Sequence, residues 1–162
     1  MHLKQKVLVV VLLLLLPILS ACQSSSQQPD SKKHNCTDLE LICQSHKGYP
    51  YVWGGETILE GGFDCSGFVY SVFKKMGKPI PRTTSKKYWL SFNSEPVNWK
   101  DSKCGSLVWW TIDRPYGHIG IMLDPPTFWQ SGSSTGPISD EFYKNSYWDT
   151  YFVGTKKTNI LE

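Results

Sequence analysis

The hydrophobic rhythm of the chain changes twice. Val7 to Leu19 is a nearly unbroken apolar run, residues from about 37 to 92 repeat apolar positions at helical spacing, and from Leu107 onward short apolar runs alternate between Pro, Gly and Asp breaks. The spacing predicts a first helix opened by Thr37-Asp38-Leu39-Glu40 as a capping box, with Leu39, Ile42, Cys43 and His46 on one stripe and Gly48 then Pro50 as the stop. His46, near that helix's C-terminus, reads as a partly exposed residue where positive charge is favourable. A second helix is capped by Asp64, carries Phe68, Val69, Val72, Phe73 and Met76 on its apolar stripe, and ends at Gly77 and Pro79. A short helix follows near Lys86 to Phe92. Strands are predicted at Leu107 to Ile112, His118 to Leu123, Thr127 to Ser131 and Thr150 to Thr155. Helices first and strands afterwards predict an α+β layer, with the N-terminal helices packed on an antiparallel sheet.

The first apolar run belongs to a processing signal rather than to this layer. Lys4 and Lys6 precede it, it falls short of the roughly 20 residues a membrane span needs, and Leu19-Ser20-Ala21-Cys22 resembles a bacterial lipoprotein cleavage site. An uncleaved anchor or an ordinary signal peptide is the alternative. The reading divides the chain into a signal at 1–21, a Ser- and Gln-rich flexible tether at 22–35 starting with a lipidated Cys22, and one domain at 36–162. Gln23 after the acylated cysteine implies the outer membrane, facing the periplasm, if the source is Gram-negative. Removing residues 1–21 takes two lysines and no acid, so the net charge falls from +3 to +1. No lysine or arginine stripe interleaves with aromatics, and the pairs Lys32-Lys33, Lys74-Lys75, Lys86-Lys87 and Lys156-Lys157 read as solvated surface, which argues against a nucleic-acid partner. His2, His34, His46 and His118 form no metal-ligand spacing with acids or cysteines, so neither a metal nor another cofactor is expected.

Candidate chemistry centres on Gly61-Gly62-Phe63-Asp64-Cys65-Ser66-Gly67, where a glycine-rich turn enters a helix. A thiol at a helix N-terminus ionises more readily than a free one, and the thiolate is the nucleophile. Cys65 also falls on the apolar stripe, so a merely buried cysteine competes with this reading, but Gly61, Gly62 and Gly67 clear side chains around it. His118 is the candidate base. In its strand Ile119, Ile121 and Leu123 share one face, and His118, Gly120 and Met122 the other. If the turn after this strand is Asp124-Pro125-Pro126, Gln130 pairs opposite Gly120, diagonal to His118 and within reach of its ring; a two-residue turn would put Gln130 on the wrong face. The Gln130 carbonyl would accept the histidine N–H and turn the other ring nitrogen to Cys65. Asp113 and Asp124 could orient the ring instead but read as turn residues. Trp53, Trp109, Trp110 and Trp129 are candidates for cleft walls or for core. Among Cys36, Cys43 and Cys104, at most one bridge can form, and all three could equally be buried hydrophobes.

These residues sit in motifs that resemble the NlpC/P60 cysteine peptidases: Tyr49-Pro50-Tyr51-Val52-Trp53-Gly54-Gly55, Asp64-Cys65-Ser66-Gly67, Pro81-Arg82-Thr83-Thr84 and Gly117-His118-Ile119-Gly120-Ile121, in that order. The resemblance runs from roughly Leu39 to Lys156. It implies a papain-like core and hydrolysis of amide bonds in peptidoglycan stem peptides, usually between γ-D-glutamyl and a diamino acid. It makes Cys65 the nucleophile and His118 the base, with Gln130 where the family most often has a second histidine. Tyr51, Asp64 and Ser66 match residues that position substrate, the last two at the stem peptide's amino end. Asp64 reads equally as the helix cap. Cys104 and Ser106 depart from the Pro and Asp the family often shows before its strand. Muramoyl-alanine amidase or acyltransferase activity on the same fold, or a catalytically silent envelope-binding lipoprotein, are the alternatives.

Overall fold

The computed structural model describes residues 34–144 and 146–162. The signal at 1–21, Cys22 and the tether as far as residue 33 lie outside the described residues. No helix among those described is long and apolar enough to cross a membrane.

Helix α1 (Cys36–Gln44) is capped two residues earlier than its sequence suggests: Asn35, not Thr37, is the N-cap, and it exchanges bonds with Asp38. The predicted box has acids at both Asp38 and Glu40, and Asn35 is among the best capping residues, so the earlier pairing prevails. A small hairpin follows, β1 (Glu56–Thr57) with β2 (Gly62–Phe63), joined by a 3-10 turn over Ile58–Glu60. Then come α2 (Cys65–Lys75) and α3 (Ser85–Ser91), capped by Asp64 and Thr84.

The rest is a five-stranded antiparallel sheet in the order β6-β5-β4-β3-β7, built from β3 (Leu107–Trp110), β4 (His118–Met122), β5 (Thr127–Gly132), β6 (Gly136–Glu141) and β7 (Phe152–Lys156). The α+β expectation therefore holds. Thr150 and Tyr151 belong not to the last strand but to α4 (Ser146–Tyr151), and β6 escaped the pattern because its Gly136-Pro137 opening and polar remainder carry no alternation.

The alternation of β4 divides the interior. Ile119 and Ile121, with Leu107, Trp109 and Trp129, pack on the α2 stripe of Phe68, Val69, Val72 and Phe73. Met122 lies on the other face in an aromatic core with Trp99, Trp110, Phe128, Phe142 and Trp148. Trp109, Trp110 and Trp129 are thus core, and Trp53 alone of the four candidates stands out of it, 73% exposed.

His46 departs from its expected exposure. It is buried between α1 and α2, with Nδ1 2.8 Å from the Ile42 carbonyl and Nε2 2.9 Å from Ser71 Oγ. A carbonyl only accepts, so Nδ1 carries the proton and Nε2 accepts from Ser71. Burial lowers its pKa to about 4, and the ring is neutral. The bridge that forms is Cys36–Cys104. It ties the start of α1 to the loop before β3 and accounts for the departure at Cys104; Cys43 stays a buried free thiol.

Candidate active site

Cys65 opens α2, and the local fold explains why. The Asp64 carboxylate accepts the Gly67 N–H at 2.6 Å and Ser66 Oγ at 2.8 Å through Oδ1, and the Gly54 N–H at 2.9 Å and Arg82 Nη2 at 3.0 Å through Oδ2. Arg82 also donates to Ser66 Oγ and pairs with Glu56 at 2.7 Å. The helix end that carries Cys65 is thereby locked to the Trp53–Gly54 turn and to the loop before α3. Gly67 is required there: a Cβ on it would meet the Gly55 carbonyl oxygen. The expected clearing around the cysteine is a close approach of two backbones.

On the sheet side, the three-residue turn Asp124-Pro125-Pro126 sets Gly120 opposite Gln130. His118 Nε2 lies 2.9 Å from Gln130 Oε1. The amide oxygen accepts the ring N–H, which leaves Nδ1 as the basic nitrogen. Gly120 makes room for this diagonal, since a Cβ there would stand 2.6 Å from the Trp129 carbonyl oxygen and 3.3 Å from Gln130 Cβ.

Cys65, His118 and Gln130 line one cavity of about 330 Å³, together with Tyr51, Trp53 and Trp148. The sulfur reaches the backbone on both sides of His118: Sγ is 4.0 Å from the Gly117 carbonyl oxygen, and the Ile119 N–H faces it. A second lobe of about 220 Å³ adjoins, sharing Tyr51, Trp53, Cys65, Arg114 and Gly117 with the first and adding Asp64, Ser66 and Ser85. All six predicted site residues therefore border one groove.

The electrostatics run against a resting thiolate. Burial, with the Asp64 carboxylate adding to it, pushes the Cys65 thiol up to about 12, and the amides of Ile119, Ser66 and Cys65 itself pull the other way without prevailing. Burial likewise holds His118 down at about 4, against the opposing effects of Gln130 and Asp113. The pair rests as neutral thiol and neutral imidazole, because nothing beside the ring is a bound carboxylate and desolvation outweighs the helix end. Burial also raises the Tyr51 phenol to about 12, with Cys65 and Asp64 contributing, so it is a hydrogen-bond donor at neutral pH.

Three contributors went unseen in the sequence. Arg82 sat inside a motif without a role. Trp148 lies 6.1 Å from His118, ring centroid to centroid and nearly parallel, with its indole N–H on Asp140 at 2.9 Å; nothing local marks it. Arg114, in the loop between β3 and β4, has its guanidinium 5.1 Å over the Trp53 ring, a pairing no spacing rule reveals.

Known proteins are similar to this chain in sequence and in fold. The family model described as NlpC/P60 matches residues 48–157. The chain is 33% identical over 124 residues to the probable peptidoglycan endopeptidase LytE of Bacillus subtilis (strain 168), covering 76% of this chain and 34% of that protein. It is 34% identical over 113 residues to the murein DD-endopeptidase MepH of Escherichia coli (strain K12), covering 68% of this chain and 41% of that one. The chain thus spans less than half the length of either relative. A solved structure of an NLP/P60 family protein from Staphylococcus aureus, described as similar to lipoprotein, superposes with a TM-score of 0.63 at 23% identity, over 75% of this chain and 40% of that one. The motifs, the sheet and the matched span agree: the chain belongs to the NlpC/P60 family.

Proposed function

We propose that this protein is a peptidoglycan hydrolase that cleaves stem-peptide amide bonds, between γ-D-glutamyl and a diamino acid, by a Cys-His-Gln thiol mechanism. The observation that carries the reading is the shared cavity: a thiol at a helix start and a histidine whose far nitrogen is tied to a neutral amide border one groove. Cys65 Sγ attacks the amide carbonyl while its proton passes to His118 Nδ1, so charge develops only as the bond forms. The imidazolium then protonates the leaving amine, the C–N bond breaks, and a thioester remains on Cys65. Water, deprotonated by His118, hydrolyses the thioester and restores the thiol. Backbone N–H groups at the start of α2 stabilise the oxyanion, and Tyr51, Asp64 and Ser66 form the substrate side of the groove. Anchoring through an acylated Cys22 after removal of residues 1–21, with 22–35 as tether and 36–162 as catalytic domain, would hold the enzyme at the cell envelope and concentrate it beside its substrate.

The test is mass spectrometry of muropeptides incubated with the full chain in detergent and with its Cys65→Ala variant. Products cut after γ-D-glutamyl, absent with the variant, are expected. Products cut at a D-alanyl cross-link would favour the bond named for the relative from Escherichia coli, release of the intact stem would indicate an amidase, and no products would favour a silent binding protein.

A further inference from the structure

A histidine that acts as base carries a positive charge for part of each turnover, yet no charged group is bonded to His118. Gln130 takes the Nε2 side with a neutral amide oxygen, and among the described residues the ring makes no ion pair. What lies against it is aromatic. The Trp110 ring stands 5.6 Å from the His118 ring, centroid to centroid and tilted by 43°, and the Trp148 ring stands 6.1 Å away at 24°. The two indoles are also in contact with each other, at 4.8 Å. The face of an indole is the negative part of its quadrupole, and a cation about 6 Å from the ring centroid is attracted to it, most strongly where water is excluded.

Trp148 is held there by polar bonds that packing alone does not require. Its indole N–H donates to Asp140 Oδ2 at 2.9 Å, while Asp140 Oδ1 accepts the Glu141 N–H at 2.8 Å. Its own carbonyl accepts the Trp110 indole N–H at 3.0 Å. The edge strand β6, the short helix α4 and strand β3 are thereby joined around one imidazole, at a point where Trp148 also lines the groove. Trp129 gives the contrast: buried on the other face of the sheet, it leaves its indole N–H without a partner. The ionisable groups that share the cavity with His118 are Tyr51, Cys65, Asp113, Arg114, Asp140 and Tyr147; of these, Asp140 is turned to the indole and Arg114 lies over Trp53.

We propose that Trp110 and Trp148 are positioning residues that form an aromatic box for the imidazolium of His118, giving through their π faces the stabilisation that a charged neighbour gives elsewhere. This rests on the hydrolase reading for its kinetic consequence alone. As Cys65 Sγ bonds to the carbonyl carbon, its proton crosses to His118 Nδ1, so an interaction that favours the protonated ring lowers the barrier to that step and acts on kcat.

Titration of the His118 ring reads the box directly. It is followed by NMR in the full chain with labelled histidine, the His118 signal being the one lost in His118→Gln. Trp110 is fully buried, so the substitutions are made at Trp148, whose backbone bond to Trp110 survives them. Trp148→Leu is expected to lower the titration midpoint of His118 by roughly half to one pH unit and kcat on a muropeptide roughly 3- to 10-fold, and Trp148→Phe to do each to a smaller extent. Asp140→Asn keeps an acceptor for the indole and removes the charge, and it is expected to leave the midpoint in place. The sign is what discriminates. Burial holds the ring neutral, so a loss of shielding alone would admit water and raise the midpoint. A rise or no change in the Trp148 variants therefore overturns the box, and so does a fall in Asp140→Asn as large as that in Trp148→Leu. If Trp148→Leu does not fold, Trp148→Phe tests the same sign. Absence of muropeptide cleavage by the unaltered chain overturns the hydrolase reading instead, and the titration, which needs no substrate, still decides the box.

Discussion

At the scale of single residues, the informative position is Gln130, whose neutral amide holds the His118 ring. A carboxylate there would stabilise the imidazolium, and the amide does so only weakly, which leaves burial to set the His118 pKa near 4. In the proposed mechanism His118 acts as base only when neutral, so the acid limb of kcat/KM should lie well below the ordinary histidine range of about 6.5. In Gln130→Glu that limb should move upward by about one pH unit or more, since an opposite charge favours the protonated ring. In Gln130→Ala the Nε2–H loses its acceptor, and kcat/KM should fall roughly 10- to 100-fold, the range associated with a lost orienting hydrogen bond. A pH–rate profile on a muropeptide checks both, and a Glu variant with an unmoved acid limb would remove His118 from the base role. The diagonal from Gln130 to His118 was legible in the sequence because strand pairing is arithmetic: once the turn is three residues long, the register follows. The Trp148 and Arg114 contacts were not, because each joins segments whose mutual approach depends on the whole sheet.

Among the elements, long periodic stretches were legible and short ones were not. Helix α2 and strands β3 to β5 announce themselves by stripe or alternation. The two-residue strands β1 and β2 are too short to hold a period. The end of α3 shows how much a short element leans on a distant one. Lys156, on β7 and 9% exposed, donates to the carbonyl oxygens of Trp89 and Phe92 at 2.8 Å each and lies 4.2 Å from the Trp89 ring centroid. Those are carbonyls that a helix C-terminus leaves unmatched, and a cation suits them. Lys156→Met keeps the stem and removes the donor. It should cost about 1–3 kcal/mol of unfolding free energy in urea, as for buried carbonyls left unpaired, whereas Lys157→Met on the exposed neighbour should change stability by less than about 0.5 kcal/mol.

For the molecule as a whole, stability depends on two ties made by α1, one covalent and one protonic. The Cys36–Cys104 bridge spans 68 residues of sequence, for which loop-closure entropy gives about 4 kcal/mol. Unfolding in urea with and without reductant should differ by a sizeable part of that, and the Cys36→Ser/Cys104→Ser chain should lose the difference. The second tie is His46. Its ordinary pKa of 6.5 falls to about 4 in the fold because burial disfavours the cation, with the Lys75 charge adding to this and the Ile42 carbonyl that accepts from Nδ1 opposing it without prevailing. Between those two values the unfolded chain binds the proton and the folded chain does not. Unfolding free energy is therefore complete above about pH 6.5, falls as pH drops toward 4, and changes no further from this group below that. The loss amounts to about 3 kcal/mol at most, a little over one per pH unit. His118 shifts in the same direction, so the His46 contribution is isolated by difference. His46→Gln offers one donor and one acceptor to the same partners but does not titrate, so its stability curve should run flatter than that of the unaltered chain between pH 6.5 and 4. Parallel curves for the two chains in urea denaturation across that range would mean that α1 moves off α2 far enough for the ring to be hydrated, and that the packing of His46 against Phe63 and Phe68 does not hold in solution.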